Sequence, residues 1–206
     1  MPKPEIDITK FREDIWVPDE IFSIARSSRV SVCHDVFVVT EQNGEKGVFS
    51  IKRLGAPAKN YIWIPGGGQK IWYERPDSLK KLIKAKTNLE LTNLDELAPL
   101  FDIFWLDNPF DPDKGIHESG IPYYAEARGK IKLDEKNYEG PFIITPKKYD
   151  HIRPHLHSYI RAGIDKAMEI GFGIHRQGDK EFFKEKYYPE ADSVDNDLVE
   201  KILKGK

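Results

Sequence analysis

The stretch from Tyr61 to Leu91 reads YIWIPGGGQKIWYERPDSLKKLIKAKTNLEL, and it decides the fold. Its apolar and aromatic start predicts a strand that runs into the turn Pro65-Gly66-Gly67-Gly68. A helix is predicted from about Pro76 to Thr87, because apolar residues recur there at helical spacing and would face a sheet. They are Leu79, Leu82 and Ile83. Asn88 suits the left-handed cap of that helix. The segment therefore predicts strand, glycine turn and helix in succession.

The flanking sequence predicts more strands than helices, which indicates an α/β (α+β) fold. A valine-rich run at Val30 to Thr40, the hairpin turn Asn43-Gly44 and a return run at Val48 to Arg53 predict a β-hairpin. Three further strands are expected, at Leu100 to Leu106, Pro122 to Ile131 and Phe142 to Thr145. Three helices are expected outside the central stretch: a short one from Pro18 to about Ser27, one from Ser158 to Ile170 that stops at Gly171, and one from Asp195 to Leu203.

These boundaries predict one domain with two additions. Residues 1–28 form a lead-in with a short helix, residues 29–145 form the core, and residues 146–206 form a helical extension packed on that core. Composition excludes several functional classes, because charged residues nearly cancel at a net charge of -2 and give no global basic field for nucleic acid. No signal region and no run of roughly 18 apolar residues is found, which predicts a cytoplasmic protein without a membrane span. The lone Cys33 excludes an intramolecular disulfide, and a buried thiol in a strand is expected.

The stretch from Tyr61 to Leu91 resembles the Nudix box, which is usually written G-x5-E-x7-R-E-U-x-E-E-x-G-U and follows a strand ending in W-x-x-P-G-G. Trp63-Ile64-Pro65-Gly66-Gly67 matches that lead-in, and Asn88-Leu89 takes the closing Gly-U position. Glu74 takes the position of the first glutamate of the box if the extra Gly68 is a one-residue insertion. The resemblance implies a Nudix-type α/β/α sandwich with a mixed curved sheet. It also implies that backbone amides of Gly66 to Gly68 hold phosphates and that Glu74 takes part in catalysis and in metal binding.

The helix of the box lacks the acidic residues of the family. Counting back from its end, Lys81 takes the arginine position, and the glutamate positions hold Leu82, Ala85 and Lys86. In the family those glutamates hold Mg²⁺ or Mn²⁺, and hard cations need several carboxylate oxygens. Glu74 is the one candidate metal ligand left in the box, so Mg²⁺ or Mn²⁺ binding is in doubt. Lys81 and Lys86 are candidates to meet phosphate directly, which would replace the metal with fixed positive charge.

The stretch from Phe101 to Tyr124 resembles the GDP-mannose mannosyl hydrolase branch of the superfamily. That resemblance implies that Arg53 contacts a diphosphate and that His117, expected in a loop, is a candidate base. It also implies a nucleoside-diphosphate derivative as ligand, such as a nucleotide sugar. Because the fold commonly forms homodimers, a homodimer is a further expectation. Trp72 lies in the loop before the helix, where its ring is a candidate to stack on the ligand.

Two functions remain open on the sequence. The first is a divergent Nudix hydrolase, and the second is a catalytically inactive Nudix-fold module that binds a nucleotide or a protein partner. Two further groups of side chains are candidates to bind a metal ion, and an ordinary structural role is the favoured interpretation of each. One is the histidine group His151, His155 and His157. The other combines loop aspartates with Glu74 or Glu118, and its aspartates are Asp107, Asp111 and Asp113.

Overall fold

The computed structural model describes residues 30–70, 73–106, 115–176, 182–188 and 194–205. Four sequence predictions therefore lie outside the described residues: the N-terminal lead-in, the short helix from Pro18, the side chain of Trp72 and the three loop aspartates between residues 107 and 113.

The described chain contains nine strands and four α-helices. The strands are β1 Ser31–Gln42, β2 Glu45–Arg53, β3 Ile62–Trp63, β4 Gly66–Gly68, β5 Glu90–Glu96, β6 Phe101–Trp105, β7 Ile116–Arg128, β8 Tyr138–Ile144 and β9 Lys186–Tyr187. The helices are α1 Arg75–Thr87, α2 Pro146–Ile152, α3 Ser158–Phe172 and α4 Asn196–Leu203, with a short 3₁₀ turn at Arg153–His155.

All nine strands belong to one mixed sheet, whose main order is β3-β2-β1-β7-β6-β9. The long strands β1 and β7 run parallel at its centre, with Ser31 opposite Glu118 and Val39 opposite Glu126. The other edge of β1 is divided between two antiparallel partners, because β4 pairs with its beginning and β2 pairs with its end. β4 and β2 therefore lie on the same side of β1, and between the two pairings the Val36 amide donates to the Pro65 carbonyl oxygen at 3.0 Å.

Helices cover both faces of the sheet, and the side chains of β1 alternate between the two layers. Val36 and Val38 belong to an apolar cluster with Leu79 and Ile83 of α1. On the opposite face, Phe37 and Val39 belong to a larger cluster built with α3 and α4. Fully burying one such side chain contributes ~1.5–3 kcal/mol, so the side chains on both faces of β1 stabilise the fold. The predicted α/β/α sandwich with a mixed sheet and a helical C-terminal part is confirmed.

The strands differ from the predictions in several places. β8 begins at Tyr138 rather than at Phe142, β4 forms where a turn was predicted, and neither β5 nor β9 was predicted. β5 was not predicted, because its sequence ELTNLDE is polar and half exposed, and its pairing with β7 is irregular between Thr92 and Asp95. β7 begins at Ile116 rather than at Pro122, and the expected loop position of His117 is therefore wrong. A polar edge strand lacks the apolar alternation on which strand prediction depends.

The predicted helix ends are mostly confirmed. α1 ends at Asn88, whose φ of 61° is left-handed. α3 runs past the predicted stop at Gly171 and ends at Gly173, with a φ of 65°. Gly171 instead lies against the β-sheet, where an added Cβ would come within 3.0 Å of Val39. Within the described ranges, every helix is too short or too polar to cross a membrane.

Candidate functional site

A cavity of about 390 Å³ opens where the glycine turn, the beginning of β1 and the last turn of α1 meet. We call it the glycine cavity. Its lining includes two carboxyl groups, two cations and three glycines from five separate parts of the chain: Asp35, Arg53, Gly66, Gly67, Gly68, Lys86 and Glu118.

Gly66 makes the close approach of β4 to β1 possible. A Cβ added at this position would lie 1.9 Å from Asp35 Oδ1 and 2.7 Å from the carbonyl oxygen of His34. Gly67 has a φ of 153°, and its Cβ would lie 3.0 Å from Lys86 Nζ. The absence of side chains on these glycines thus leaves room for a carboxyl group and an ammonium group beside the same short strand.

Two cations face the cavity. Arg53 lies at the end of β2, and Lys86 donates from Nζ to the carbonyl oxygen of Gly66 at 2.8 Å. In the part of the chain that the structure describes, neither side chain has a carboxylate within ion-pair distance. Lys84, two residues earlier on α1, turns outward instead and donates to the carbonyl oxygen of Asn88 at 3.1 Å. Neither cation therefore forms a direct ion pair with Asp35 or Glu118, the two carboxyl groups that line the same cavity.

Asp35 is a buried carboxyl group in the wall of the cavity, with 8% of its surface exposed. Its Oδ2 accepts a hydrogen bond from the Tyr159 hydroxyl at 3.1 Å. Burial, and next the nearby charge of Glu118, raise the pKa of Asp35 to about 7, although the Tyr159 hydrogen bond and the charges of Arg53 and Lys86 act to lower it. The carboxyl group consequently exchanges its proton near neutral pH.

Two neighbouring side chains complete the polar surroundings. Glu118 extends from β7, and its Oε2 accepts a hydrogen bond from Trp105 Nε1 at 2.9 Å. His34 is fully buried, with Nε2 3.4 Å from Ser78 Oγ. Burial is the main cause that lowers the pKa of His34 to about 4, and the charges of Arg75 and Lys86 add to it. His34 is therefore neutral at physiological pH.

The structure brings several predicted site residues together in the cavity: Arg53, Gly66, Gly67, Gly68 and Lys86. Lys81 is not among them. Its Nζ donates to the Tyr73 hydroxyl at 2.9 Å and lies 4.9 Å from the centre of that ring. The helix turns Lys81 and Lys86 to different sides, since five residues are about one and a half turns.

Both predicted catalytic residues lie outside the cavity. Glu74 is exposed at the N-terminal cap position of α1, where its side chain makes no capping hydrogen bond. His117 stacks on Phe104 with 4.4 Å between ring centres, and its Nε2 lies 3.2 Å from Asp102 Oδ1 without hydrogen-bond geometry. Because successive strand residues point to opposite faces, Glu118 reaches the cavity and His117 does not.

The histidine metal site, which was the less favoured interpretation of His151, His155 and His157, is not assembled. Among the described residues, no three His, Cys, Asp or Glu side chains come close enough to hold a metal ion. His157 is buried at the start of α3, and its Nδ1 accepts a hydrogen bond from the Tyr159 amide at 3.1 Å. It acts there as a helix cap, which is the ordinary structural role considered for this group.

Sequence reasoning missed Asp35. A signal was present, because a carboxylate in the run Val32 to Val39 is surrounded by residues that are normally buried, and buried carboxylates are rare unless they have a role. The prediction treated that run only as a core strand.

The sequence matches no family model and no curated protein. Solved structures with a partly similar backbone include a MutT Nudix hydrolase from Burkholderia pseudomallei, with 18% identity over 55% of this chain and 81% of that one and a TM-score of 0.43. A mutator MutT protein from Bacillus halodurans gives 15% identity over 81% and 95%, with a TM-score of 0.45. The Nudix domain of Shewanella oneidensis NrtR, complexed with ADP ribose, gives 13% identity over 54% and 70%, with a TM-score of 0.41. These three structures are all Nudix or MutT proteins.

Proposed function

We propose that this chain is a divergent Nudix-type domain that binds a nucleoside-diphosphate derivative, such as a nucleotide sugar, in the glycine cavity. One observation carries the proposal: Arg53 and Lys86 both line the cavity, and neither has a carboxylate partner among the described residues. Charged groups that lose water need an opposite charge or hydrogen bonds in return. An anionic ligand supplies both.

The chemistry of the lining fits a phosphate chain. A guanidinium group offers a planar fork of donors to phosphate oxygens, and an ammonium group acts as a compact point charge. The glycines of β4 allow a ligand to approach the backbone closely because they carry no side chains. Lys86 keeps two of its three N–H donors after its bond to Gly66. Arg53, the glycines and Lys86 are thus the proposed phosphate contacts, and stacking by Trp72 stays a prediction.

Calorimetric titration with ADP-ribose and a panel of nucleotide sugars tests the proposal. Arg53→Met and Lys86→Met should each weaken binding by ~10- to 150-fold, because a hydrogen bond to a charged group contributes ~1.5–3 kcal/mol. Lys84→Met is the matched control, since this exposed lysine of the same helix bonds to Asn88 and Glu90. Equal affinity of the wild type and Lys86→Met, or no binding of any ligand by the wild type, would contradict the proposal and favour a protein partner.

Hydrolysis is the second candidate function, and Asp35 is the observation that favours it. A carboxyl group with a pKa of about 7 beside bound phosphates can give or take a proton at neutral pH. Asp35→Asn should then abolish product release while ligand binding is retained. Glu74→Gln and His117→Gln test the two residues that the sequence predicted for the chemistry. Product release that survives Asp35→Asn would remove this residue from the reaction.

A further inference from the structure

The glycine cavity does not fit a divalent cation. Among the described side chains that line it, only Asp35 and Glu118 are carboxylates, and Mg²⁺ demands near-octahedral oxygen coordination. The helix α1 contributes Lys86 to the cavity, while Leu82 lies against Gly67 and Ala85 is exposed. Within the described ranges, no third His, Cys, Asp or Glu completes a metal-binding group with these two carboxylates.

The Lys86 ammonium group lies in the wall of this cavity instead. Lys86 Nζ is fixed 2.8 Å from the carbonyl oxygen of Gly66, and Asp35 borders the same glycine from its Cα side. The positive charge of Lys86 acts on both Asp35 and His34, since it lowers the pKa of each. A cation that binds one backbone oxygen and lies near the buried Asp35 carboxyl group takes the place that a metal ion has in an oxygen-lined site.

The favourable interaction of a lysine with the C-terminal end of a helix does not explain why Lys86 points into the cavity. Lysines in the last turn of a helix commonly offset the negative end of the helix dipole. Lys84 already does so, because it donates to the cap carbonyl of Asn88 and pairs with Glu90 at 3.3 Å. Lys86 lies in the same turn and is directed into the cavity, where it is half buried.

We propose that the Lys86 ammonium group is the resident cation of the glycine cavity, so that the domain takes its ligand without a divalent metal. Lys86 already donates to the Gly66 carbonyl oxygen, and its charge repels any second cation. For the identity of the ligand, this inference rests on the proposed function. The domain is therefore expected to bind the metal-free form of a nucleoside-diphosphate derivative, and Mg²⁺ is expected to leave binding unchanged or to weaken it.

A titration with Mn²⁺ and no nucleotide tests the cation assignment. The electron paramagnetic resonance signal of the free ion measures how much Mn²⁺ stays unbound. The wild type should leave the signal unchanged. Lys86→Glu should bind one Mn²⁺ per chain at least about tenfold more tightly than the wild type, because a carboxylate then joins Asp35, Glu118 and the freed carbonyl. Lys84→Glu is the control that adds the same charge to the exposed side of the helix, and it should bind no Mn²⁺.

Two results would overturn the inference. One is Mn²⁺ binding by the wild type that is lost in Asp35→Asn, and the other is a folded Lys86→Glu variant, judged by its thermal transition, that gains no Mn²⁺ binding. A parallel titration with ADP-ribose in EDTA and in Mg²⁺ tests the ligand. A requirement for Mg²⁺ in the wild type would contradict the inference as well. Absence of nucleotide binding together with the expected Mn²⁺ results would contradict the proposed ligand and still support the assignment of Lys86.

Discussion

Gly66 and Asp35 share one small volume, and each limits what the other position can hold. The hydrogen that Gly66 carries in place of a Cβ points at Asp35 Oδ1, 1.9 Å from where that carbon would be. Asp35 is held from the other side by Tyr159, so its carboxyl group has little freedom to move away. At the scale of residues, the shape of the cavity wall therefore depends on a glycine that meets a buried acid.

Gly66→Ala should destabilise the protein by ~1–3 kcal/mol, the usual cost of overpacking, and should weaken ligand binding. The added methyl group has to displace either the Asp35 carboxyl or the backbone of β1. Gly68→Ala is the matched control, because its Cβ would meet nothing closer than an oxygen of Val32 at 3.9 Å. Urea denaturation of the three proteins measures the difference. Equal losses at positions 66 and 68 would contradict this account.

At the scale of elements, α3 lies close to β1 because Gly163 faces the ring of Phe37. A Cβ at position 163 would lie 1.8 Å from Phe37 Cζ. The ring is fully buried and is packed against Tyr159 and Phe183, so it cannot turn aside. The same close contact brings Tyr159 of α3 within reach of Asp35, which links the helix layer to the cavity.

Gly163→Ala tests this contact. Alanine favours a helix over glycine by ~1 kcal/mol, but the clash with Phe37 should outweigh that gain and give a net loss of ~1–3 kcal/mol. Phe37→Leu creates space opposite position 163, although the substitution itself lowers the stability of the protein. A double-mutant cycle should therefore show that alanine at 163 is less harmful, or even stabilising, in the Phe37→Leu background. Additive losses measured by urea denaturation would show that the two side chains do not compete for space.

At the scale of the whole molecule, Asp35 and His34 make stability depend on pH in opposite directions. The pKa of Asp35 is raised from 3.8 to about 7, so between those values the folded state keeps a proton that the unfolded chain has released. Stability from this group is lost as pH rises through that window. The pKa of His34 is lowered from 6.5 to about 4, so its contribution is lost as pH falls from 6.5 to about 4.

Asp35→Asn should isolate the first of these effects. The variant should gain stability relative to the wild type as pH rises from 4.5 to 8, by on the order of 3 kcal/mol, since each pKa unit corresponds to ~1.4 kcal/mol. The amide keeps an oxygen that can accept from the Tyr159 hydroxyl. Urea denaturation at several pH values measures the gain. A difference between the two proteins that does not change with pH would contradict the raised pKa of Asp35.

The sequence by itself determined the elements whose signals are local. The turn Asn43-Gly44 has positive φ at both residues, α1 ends at the predicted cap Asn88, and the glycine turn lies beside the predicted phosphate contacts. Backbone conformation, caps and helical spacing are properties of neighbouring residues, and for this reason they can be read in one stretch of chain.

Only the tertiary structure decided which side chains share the cavity. Asp35 and Glu118 lie on strands far apart in the chain, and they face one space because β1 and β7 pair in a particular parallel register. A shift of one residue would turn each side chain to the other face of the sheet, as the outward position of His117 beside Glu118 illustrates. The direction of Lys86 likewise depends on where α1 lies against β4. A sequence motif shows which residue types occur at which positions. Strand register and helix packing decide which of those side chains come into contact.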